Sequence, residues 1–471
     1  MIWEWKFPCW DLFLVNKNTN KMIWIILLLA LMLRLININQ SLWLDEATQA
    51  ILSSKSLEYI WFQRGGDFHP PLSYILTHFW LMLGSSEIWL RFLPVLFGVG
   101  TVYGVYLLGK KMVDQKLGLL AALFLAIAPY HIYYSQEFRM YSQATFFATW
   151  SIYFLLTTRR RAFISTTGAL IYTHYMGLFV IAAQFLYILG YQKKQLSLYL
   201  KNSSLVLVLY LPWLPQFLTQ LQVGVNIDQY LPGWRDILSL SLVKALPLTF
   251  IKFSLGRIDF ENVVFYGLVA IVVLGVFGLL LLRGVQSAWR QNQLLLYWLA
   301  VPVLLSFLIS FKIPLYQPFR LLLVLPAFYL LIALGISSLG KWKKWAITAV
   351  IFVSLSGLLL YYTDSKFQRE DWRGATEAFP NAVFAWPVPF DPYIWYGGKG
   401  IGVVKHFPAK ENEVAQNLAN AKLENRVYVF EYLQALSDPQ RITQLELIKN
   451  GYKLIKTQNF RGVGFVNLYQ R

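Results

Sequence analysis

Long apolar runs recur along most of the chain, and short clusters of lysine and arginine stand between them. This alternation constrains the fold more than any single motif. A backbone inside a bilayer must satisfy its own hydrogen bonds, so such runs become membrane-spanning helices. Of the 471 residues, 57% are hydrophobic and 14% charged, whereas ordinary globular domains carry about 25% charged residues. A soluble fold this apolar could not cover its own surface, and the 17% aromatic content excludes disorder. The net charge of +18 would suit a nucleic-acid binder only if the positives gathered on one domain or face. Here they are spread between apolar runs, as in the cytoplasmic loops of helical membrane proteins. Nucleic acid is therefore not an expected partner.

The basic clusters orient the chain. Lys110/Lys111/Lys116, Arg159/Arg160/Arg161, Lys193/Lys194/Lys201, Arg283/Arg290 and Lys341/Lys343/Lys344 together hold fourteen cations against one acid, Asp114. Such segments face the cytoplasm. Residues 39–90 reverse the balance, with Asp45, Glu46, Glu58, Asp67 and Glu87 against Lys55 and Arg64, and face outward. The run Pro71–Gly84 has only fourteen residues, short of the ~20 that a span needs, so it is read as a helix lying in the interface. The spans are Met22–Ile38, Arg91–Gly109, Gly118–Tyr130, Met140–Thr157, a hairpin of two within Ala162–Tyr191, Ser203–Thr219, Asn262–Leu282, Leu294–Ser310, Phe319–Ser338 and Trp345–Tyr362. The expectation is an α-helical polytopic membrane protein of about eleven transmembrane helices, with interfacial helices in the first external loop. Residues 1–21 form a cytoplasmic segment. Pro8, Asp11, Lys17 and Lys21 break it, so it is no cleavable signal, and Cys9 stands alone. Residues 22–362 form the membrane domain. Residues 363–471 turn polar and read as a small extracytoplasmic α/β domain. Its strand-like runs are Ala382–Trp386, Ile401–Val404, Val427–Phe430 and Gly462–Leu468, and its second helix is punctuated by Ser437/Asp438/Pro439 and Gly451.

The outward connections carry the chemistry. Asp45 and Glu46 are adjacent carboxylates at a water–lipid boundary. Desolvation and mutual repulsion there raise a carboxylate pKa toward the range of a general base; an interfacial acid pair that merely ends a span is the plainer alternative. His69, in Asp67-Phe68-His69-Pro70-Pro71, is a candidate for substrate or metal contact or a helix-start hydrogen-bonder. Arg91 opens a span just below the external surface, where it snorkels to headgroups or binds phosphate. The string Tyr130–Ser142 packs His131, Glu137, Arg139 and Tyr141 among aromatics against the outer leaflet. These aromatics also suit an interfacial belt. Lys312 and Arg320 in one external return, and Lys244, Lys252 and Arg257 in another, violate the positive-inside tendency, and an anionic ligand explains them better than topology does. Cations for a lipid phosphate, aromatics for a sugar or isoprenoid, and a carboxylate for proton removal add up to glycosyl transfer from a polyprenyl-phosphate sugar. There is no Walker-type loop and no GxGxxG.

Four strings resemble those of the GT-C superfamily of integral-membrane glycosyltransferases, in the branch of bacterial relatives of protein O-mannosyltransferases and lipid A aminoarabinose transferases. They are Leu44-Asp45-Glu46, His69-Pro70-Pro71-Leu72, Leu90-Arg91-Phe92-Leu93-Pro94 with Gly98, and Tyr134-Ser135-Gln136-Glu137-Phe138-Arg139-Met140-Tyr141-Ser142. Weaker echoes are Thr173-His174-Tyr175, Tyr316–Arg320 and Asp371-Trp372-Arg373. The resemblance implies an outward-facing site, an inverting transfer and a donor such as undecaprenyl- or dolichyl-phosphate sugar. It implies Asp45 as base, Glu46 orienting it or binding a metal, and Arg91 holding the donor phosphate, with Arg139 and Arg320 as further phosphate contacts. His69, His131, Glu137 and Tyr141 are the candidates for substrate or metal contact. Glu137 stands where relatives place a second acidic motif, here as one acid, which weakens the case for a divalent cation as cofactor. The acceptor is a lipid, a glycan or a protein. The implied location is the cell membrane, with a cytoplasmic N-terminus and an extracytoplasmic tail. The rival readings are a flippase or exporter of lipid-linked sugars and a glycan ligase that uses a lipid diphosphate.

Overall fold

A computed structural model describes residues 19–62, 67–226, 229, 240–421 and 423–471. Cys9, most of the expected cytoplasmic segment and Arg64 lie outside the described residues.

Each apolar run is helical, and polar punctuation sets the helix ends. In chain order the helices used below are α1 (Thr19–Leu35), α2 (Leu44–Ser53), α3 (Leu72–Leu81), α4 (Glu87–Met112), α5 (Gln115–Ala126), α6 (Pro129–Ser135), α7 (Tyr141–Leu156), α8 (Arg160–Thr173), α9 (Gly177–Tyr191), α10 (Leu196–Tyr210), α11 (Leu214–Val225), α12 (Leu242–Leu255), α13 (Val263–Gln291), α14 (Gln293–Ile309), α15 (Leu325–Ser337) and α16 (Lys343–Thr363). Ser86 caps α4 by accepting from the Trp89 amide, and Asp114 caps α5 by accepting from Leu117 at 2.7 Å. The run Pro71–Gly84 yields the ten-residue α3, as expected of a segment too short to cross.

Four helices among the described residues are long and apolar enough to cross a membrane: α4, the continuous Lys193–Val225, α13 and Gly340–Thr363. The pair α5–α6 bends by 64° and adds a fifth if counted as one span. Two expectations change here. The run Ser203–Thr219 is only the middle of the 33-residue helix Lys193–Val225, which carries Lys193, Lys194 and Lys201 on the helix itself. The run Gly118–Tyr130 is no straight helix, because Pro129 supplies no amide hydrogen and starts a new one.

In lipid there is little hydrophobic drive between helices, so close approach of backbones holds them together. A Cβ at Gly284 of α13 would strike the Leu331 carbonyl, and one at Gly335 of α15 would strike the Leu280 carbonyl. Leu325–Ile336 is buried on every side, at the centre of the bundle. The outer helices expose apolar side chains instead, for example Val263 at 80% and Ile271 at 67%, as a lipid-facing surface does.

After α16 come α17 (Trp372–Ala378), β1 (Asn381–Phe384), β2 (Lys399–Gly402), α18 (Glu411–Asn420), β3 (Arg426–Phe430), α19 (Ile442–Lys449), β4 (Lys453–Phe460) and β5 (Gly464–Gln470). The sheet order is β2-β1-β3-β5-β4; β1 runs parallel to β2 and β3, and β5 antiparallel to β3 and β4. Asp438 caps α19 through the amides of Ile442 and Thr443, and Gly451 stops it with φ +86°. Strand β4 has no counterpart among the expected strands. One face of the sheet buries Val383, Val429 and Leu447, and the other buries Trp372, Phe384 and Phe430. Leu44, beside Asp45, packs against this second face, so the tail seats on the start of α2.

Candidate active site

The residues between α1 and α2 are held by Arg91. Its Nε and Nη2 donate to the two oxygens of Glu46 at 2.9 and 2.5 Å, Nη1 to the carbonyls of Ile38 and Gln40, and Nη2 to that of Ser41. All five guanidinium N–H groups are thus engaged in a site where Arg91 is 1% and Glu46 0% exposed. Glu46 also accepts from the Phe138 amide at 2.8 Å. Burial opposes its charge, but the Arg91 guanidinium outweighs it and holds the Glu46 pKa below the usual range. Arg91 therefore has no N–H left for a phosphate, and Glu46 no oxygen turned to a substrate.

Asp45 is the next residue and its opposite. Its carboxylate has no hydrogen bond or ion pair among the described residues, and it lines a cavity of about 270 Å³. Burial pushes its pKa up to about 6; the charge of Arg139 pulls the other way, and Asp67 and Glu137 reinforce the rise. Around it stand Tyr130, Tyr134 and Glu137 from the α6 segment, Tyr141 from α7, Lys252 and Arg257 from α12 and its end, and Phe319.

Four further arginines neutralise or flank the acids. Arg139 donates to Asp67 Oδ2 at 2.9 Å and to the Asp45 carbonyl at 3.2 Å, while its buried Nε has no partner among the described residues. Burial raises the Asp67 pKa, but Arg139 more than offsets this and brings it below the ordinary carboxylate range. Arg369, just beyond α16, donates to Glu137 Oε2 at 2.6 Å and to Tyr133 Oη at 2.5 Å. Its guanidinium carbon lies 3.9 Å from the Tyr133 ring centre, and that of Arg257 lies 4.5 Å from the same ring. Among the described residues Arg320 gives only Nη1, to the Pro314 and Leu315 carbonyls, and its charge acts on Asp45.

His69 lies 3.7 Å from Asp67 and faces His174 with ring centres 5.6 Å apart; Tyr141 faces His174 at 5.9 Å. Burial lowers the His69 pKa to about 3, with Asp67 opposing, so the ring is neutral. His131 falls elsewhere. It is fully buried, its Nδ1 accepts from Arg34 Nη2 at 2.6 Å, and it does not line the cavity. The site candidates Asp45, Glu137 and Tyr141 thus share one wall, with Arg139, Arg320 and His69 beside it. Arg91 and Glu46 form the support behind Asp45, and His131 belongs to the helix core.

Sequence reasoning missed Arg369 and Arg34. Arg369 is separated from Glu137 by 232 positions, and nothing local announces the pair. Arg34 did carry a signal, since a charge inside an apolar span is a functional or structural marker by default. A divalent cation does not fit the acids here. Glu46, Asp67 and Glu137 each face a guanidinium, and among the described residues no three metal-ligating side chains converge.

A helical membrane body whose cavity joins carboxylate, cations and aromatics beneath a small sheet domain resembles the GT-C glycosyltransferases. Residues 68–215, which hold His69, Arg91, Glu137, Arg139 and Tyr141 but neither Asp45 nor Arg320, match the family described as dolichyl-phosphate-mannose-protein mannosyltransferase. Among solved structures, ArnT from Cupriavidus metallidurans bound to undecaprenyl phosphate aligns with 96% of this chain and 97% of its own, at TM-score 0.59 and 13% identity. AglB from Archaeoglobus fulgidus, in complex with an inhibitory peptide and a dolichol-phosphate, aligns with 98% of this chain and 74% of its own, at TM-score 0.55 and 13% identity. The Archaeoglobus fulgidus oligosaccharyltransferase complexed with Zn and sulfate aligns with 94% and 73%, at TM-score 0.54 and 14% identity. At these identities the likeness is one of fold. No curated protein matches the sequence.

Proposed function

We propose that the protein is an inverting glycosyltransferase that moves a sugar from a polyprenyl-phosphate donor to an acceptor on the extracytoplasmic side. The observation that carries this reading is Asp45, a carboxylate unpaired among the described residues, in a cavity that also presents Lys252 and Arg257. Asp45 takes the proton from an acceptor hydroxyl or amine as its oxygen or nitrogen attacks the anomeric carbon. The bond from that carbon to the phosphate oxygen breaks, and the polyprenyl phosphate leaves with the electron pair. Lys252, Arg257 and Arg320 neutralise the leaving phosphate. Arg91 and Glu46 act as positioning residues that hold the Asp45 loop, which revises the expectation that Arg91 holds the phosphate. Arg139 fixes the Asp45 carbonyl and Asp67. Tyr134, Tyr141 and Phe319 suit the sugar or the first isoprene units.

The same reading keeps eleven spans, a cytoplasmic N-terminus, the division into residues 1–21, 22–362 and 363–471, and a cell-membrane location. The undecaprenyl-phosphate and dolichol-phosphate ligands of the two neighbours support a lipid-phosphate donor. Purified protein incubated with radiolabelled polyprenyl-phosphate hexoses and a membrane extract tests the proposal. Label should leave the lipid with wild type and remain on it with Asp45→Asn. Equal transfer by both would remove Asp45 as base; no transfer from any donor would favour an exporter or a diphosphate-dependent ligase.

A further inference from the structure

The segment after α16 is wedged between the tail and the chain that leads into α2. On one side, the Arg369 amide donates to Gln40 Oε1 at 2.6 Å, the Arg373 amide donates to Ser41 Oγ at 3.0 Å, and Glu370 accepts from the backbone amide of Leu44. On the other side, the turn between β4 and β5 holds the segment. The Asp371 amide donates to the Arg461 carbonyl at 2.8 Å, and Arg461 Nε donates to the Arg369 carbonyl at 2.9 Å. The same turn carries Gly462, where a Cβ would strike the Glu370 side chain. Residues 369–373 thus form a strap that the sheet domain holds against residues 40–44.

Glu370 is the member of the strap whose contact falls on α2 itself. Leu44 and Asp45 are the first two residues of that helix, and first-turn amides have no partner within a helix. An oxygen-bearing side chain at the N-cap is the usual remedy. Here the N-cap is Trp43, whose indole can only donate. Glu370 supplies the acceptor instead, from the far end of the chain, and its carboxylate meets the positive end of the helix dipole. Glu370 is in turn fixed by two aromatic groups of the tail. Trp372 Nε1 donates to its Oε2 at 2.6 Å, and the Tyr432 hydroxyl donates to its Oε1 at 3.1 Å. The rings of Trp372 and Tyr432 pack edge to face with centres 4.9 Å apart, so both donors are set by the core of the tail. Burial does most to raise the Glu370 pKa, the three donors oppose it, and the charge of Asp45 adds to the rise. The two carboxylates therefore stand within electrostatic reach of each other.

We propose that Glu370 is the positioning residue through which the tail orients Asp45 at the start of α2. The inference rests on Asp45 as the base proposed above. Amide hydrogen exchange of the full chain in detergent, read by mass spectrometry, and transfer kinetics with a polyprenyl-phosphate hexose test it on the same preparations. Glu370→Gln keeps the side-chain shape but offers one acceptor oxygen to three donors. Exchange across residues 43–48 should speed up, while β1, β3 and β5 stay as protected as in wild type. The transfer kcat should fall about tenfold at unchanged donor KM, because a misplaced group costs rate rather than affinity. Tyr432→Phe removes one donor and keeps the ring. It should lower kcat in the same direction and add nothing to Glu370→Gln, since both act through one carboxylate. Unchanged exchange at residues 43–48, or full kcat in Glu370→Gln where Asp45→Asn is inactive, would overturn the inference and leave the base standing. Faster exchange throughout the tail strands would overturn it too, by making Glu370 a fold contact. Equal transfer by wild type and Asp45→Asn would overturn the base, and the inference with it.

Discussion

Asp45 and Glu46 are neighbours in the chain and opposites in environment. Glu46 is saturated by Arg91 and the Phe138 amide, whereas Asp45 meets the cavity with no partner among the described residues. Two carboxylates whose surroundings push their pKa values apart divide the labour between them. Asp45→Asn should lower transfer by about 10²–10⁴-fold, the range for loss of a general base, with donor binding retained in a lipid-phosphate titration. The acidic limb follows from the direction of the shift. Burial raises the Asp45 pKa from 3.8 to about 6, so its carboxylate is ionised above that pH and protonated below it. The kcat/KM of wild type should therefore fall about tenfold per unit as pH drops below 6 and level off above it. A limb near pH 4 would place the base elsewhere. Arg91→Met leaves a buried carboxylate uncompensated, which costs about 3–5 kcal/mol. The thermal midpoint should fall sharply and be partly restored by the Glu46→Gln/Arg91→Met pair; an unchanged midpoint with a raised donor KM would return Arg91 to the phosphate. Asp45 was legible because two adjacent acids at a span end are costly without a use. The saturation of Arg91 was not, because its carbonyl acceptors depend on the path of residues 38–41.

At the level of elements, the bend between α5 and α6 sets one wall of the candidate site. A helix that stops inside a membrane leaves carbonyls without partners. Arg34 of α1 answers them, with Nη1 on the Ala126 carbonyl at 3.1 Å and Nη2 on His131 Nδ1 at 2.6 Å. Gln136 then reaches back to the carbonyls of Arg34 and Ile36 at 3.0 and 2.6 Å. The two chain stretches that carry Asp45 and Glu137 are tied together behind the cavity. Arg34→Met should destabilise by about 1–3 kcal/mol per orphaned carbonyl, read as a lower thermal midpoint, and should cost transfer beyond that loss. Helix positions were legible where polar punctuation is strong, as at Asp114 or Asn262. They were less so where a helix runs on past its apolar stretch, as from Ser203 back to Lys193. Strand β4 was hidden because Lys453 and Lys456 interrupt its apolar residues, and most of it is exposed.

For the whole molecule, orientation is the testable quantity. With Cys9 replaced, Met112→Cys between α4 and α5 should resist a membrane-impermeant thiol reagent in intact cells and react after permeabilisation. Ready labelling from outside would invert the threading. The tail is bound to this body through the first residues after α16. Arg369 grips Glu137 and Tyr133, Arg373 pairs with Glu87 at 3.0 Å, and the Tyr396 hydroxyl accepts from the Leu42 amide at 2.8 Å. Trp372, fully buried, anchors the inner face of the sheet, and Trp372→Ala should cost about 3–5 kcal/mol. That stitching has a bearing on how the protein is made. Arg369 follows Glu137 by 232 positions, so helices α7 to α16 are all synthesised before the partner of Glu137 appears. The cavity is therefore completed late in biogenesis, and a nascent chain already in the bilayer carries Glu137 without its guanidinium until the segment after α16 has folded back against it.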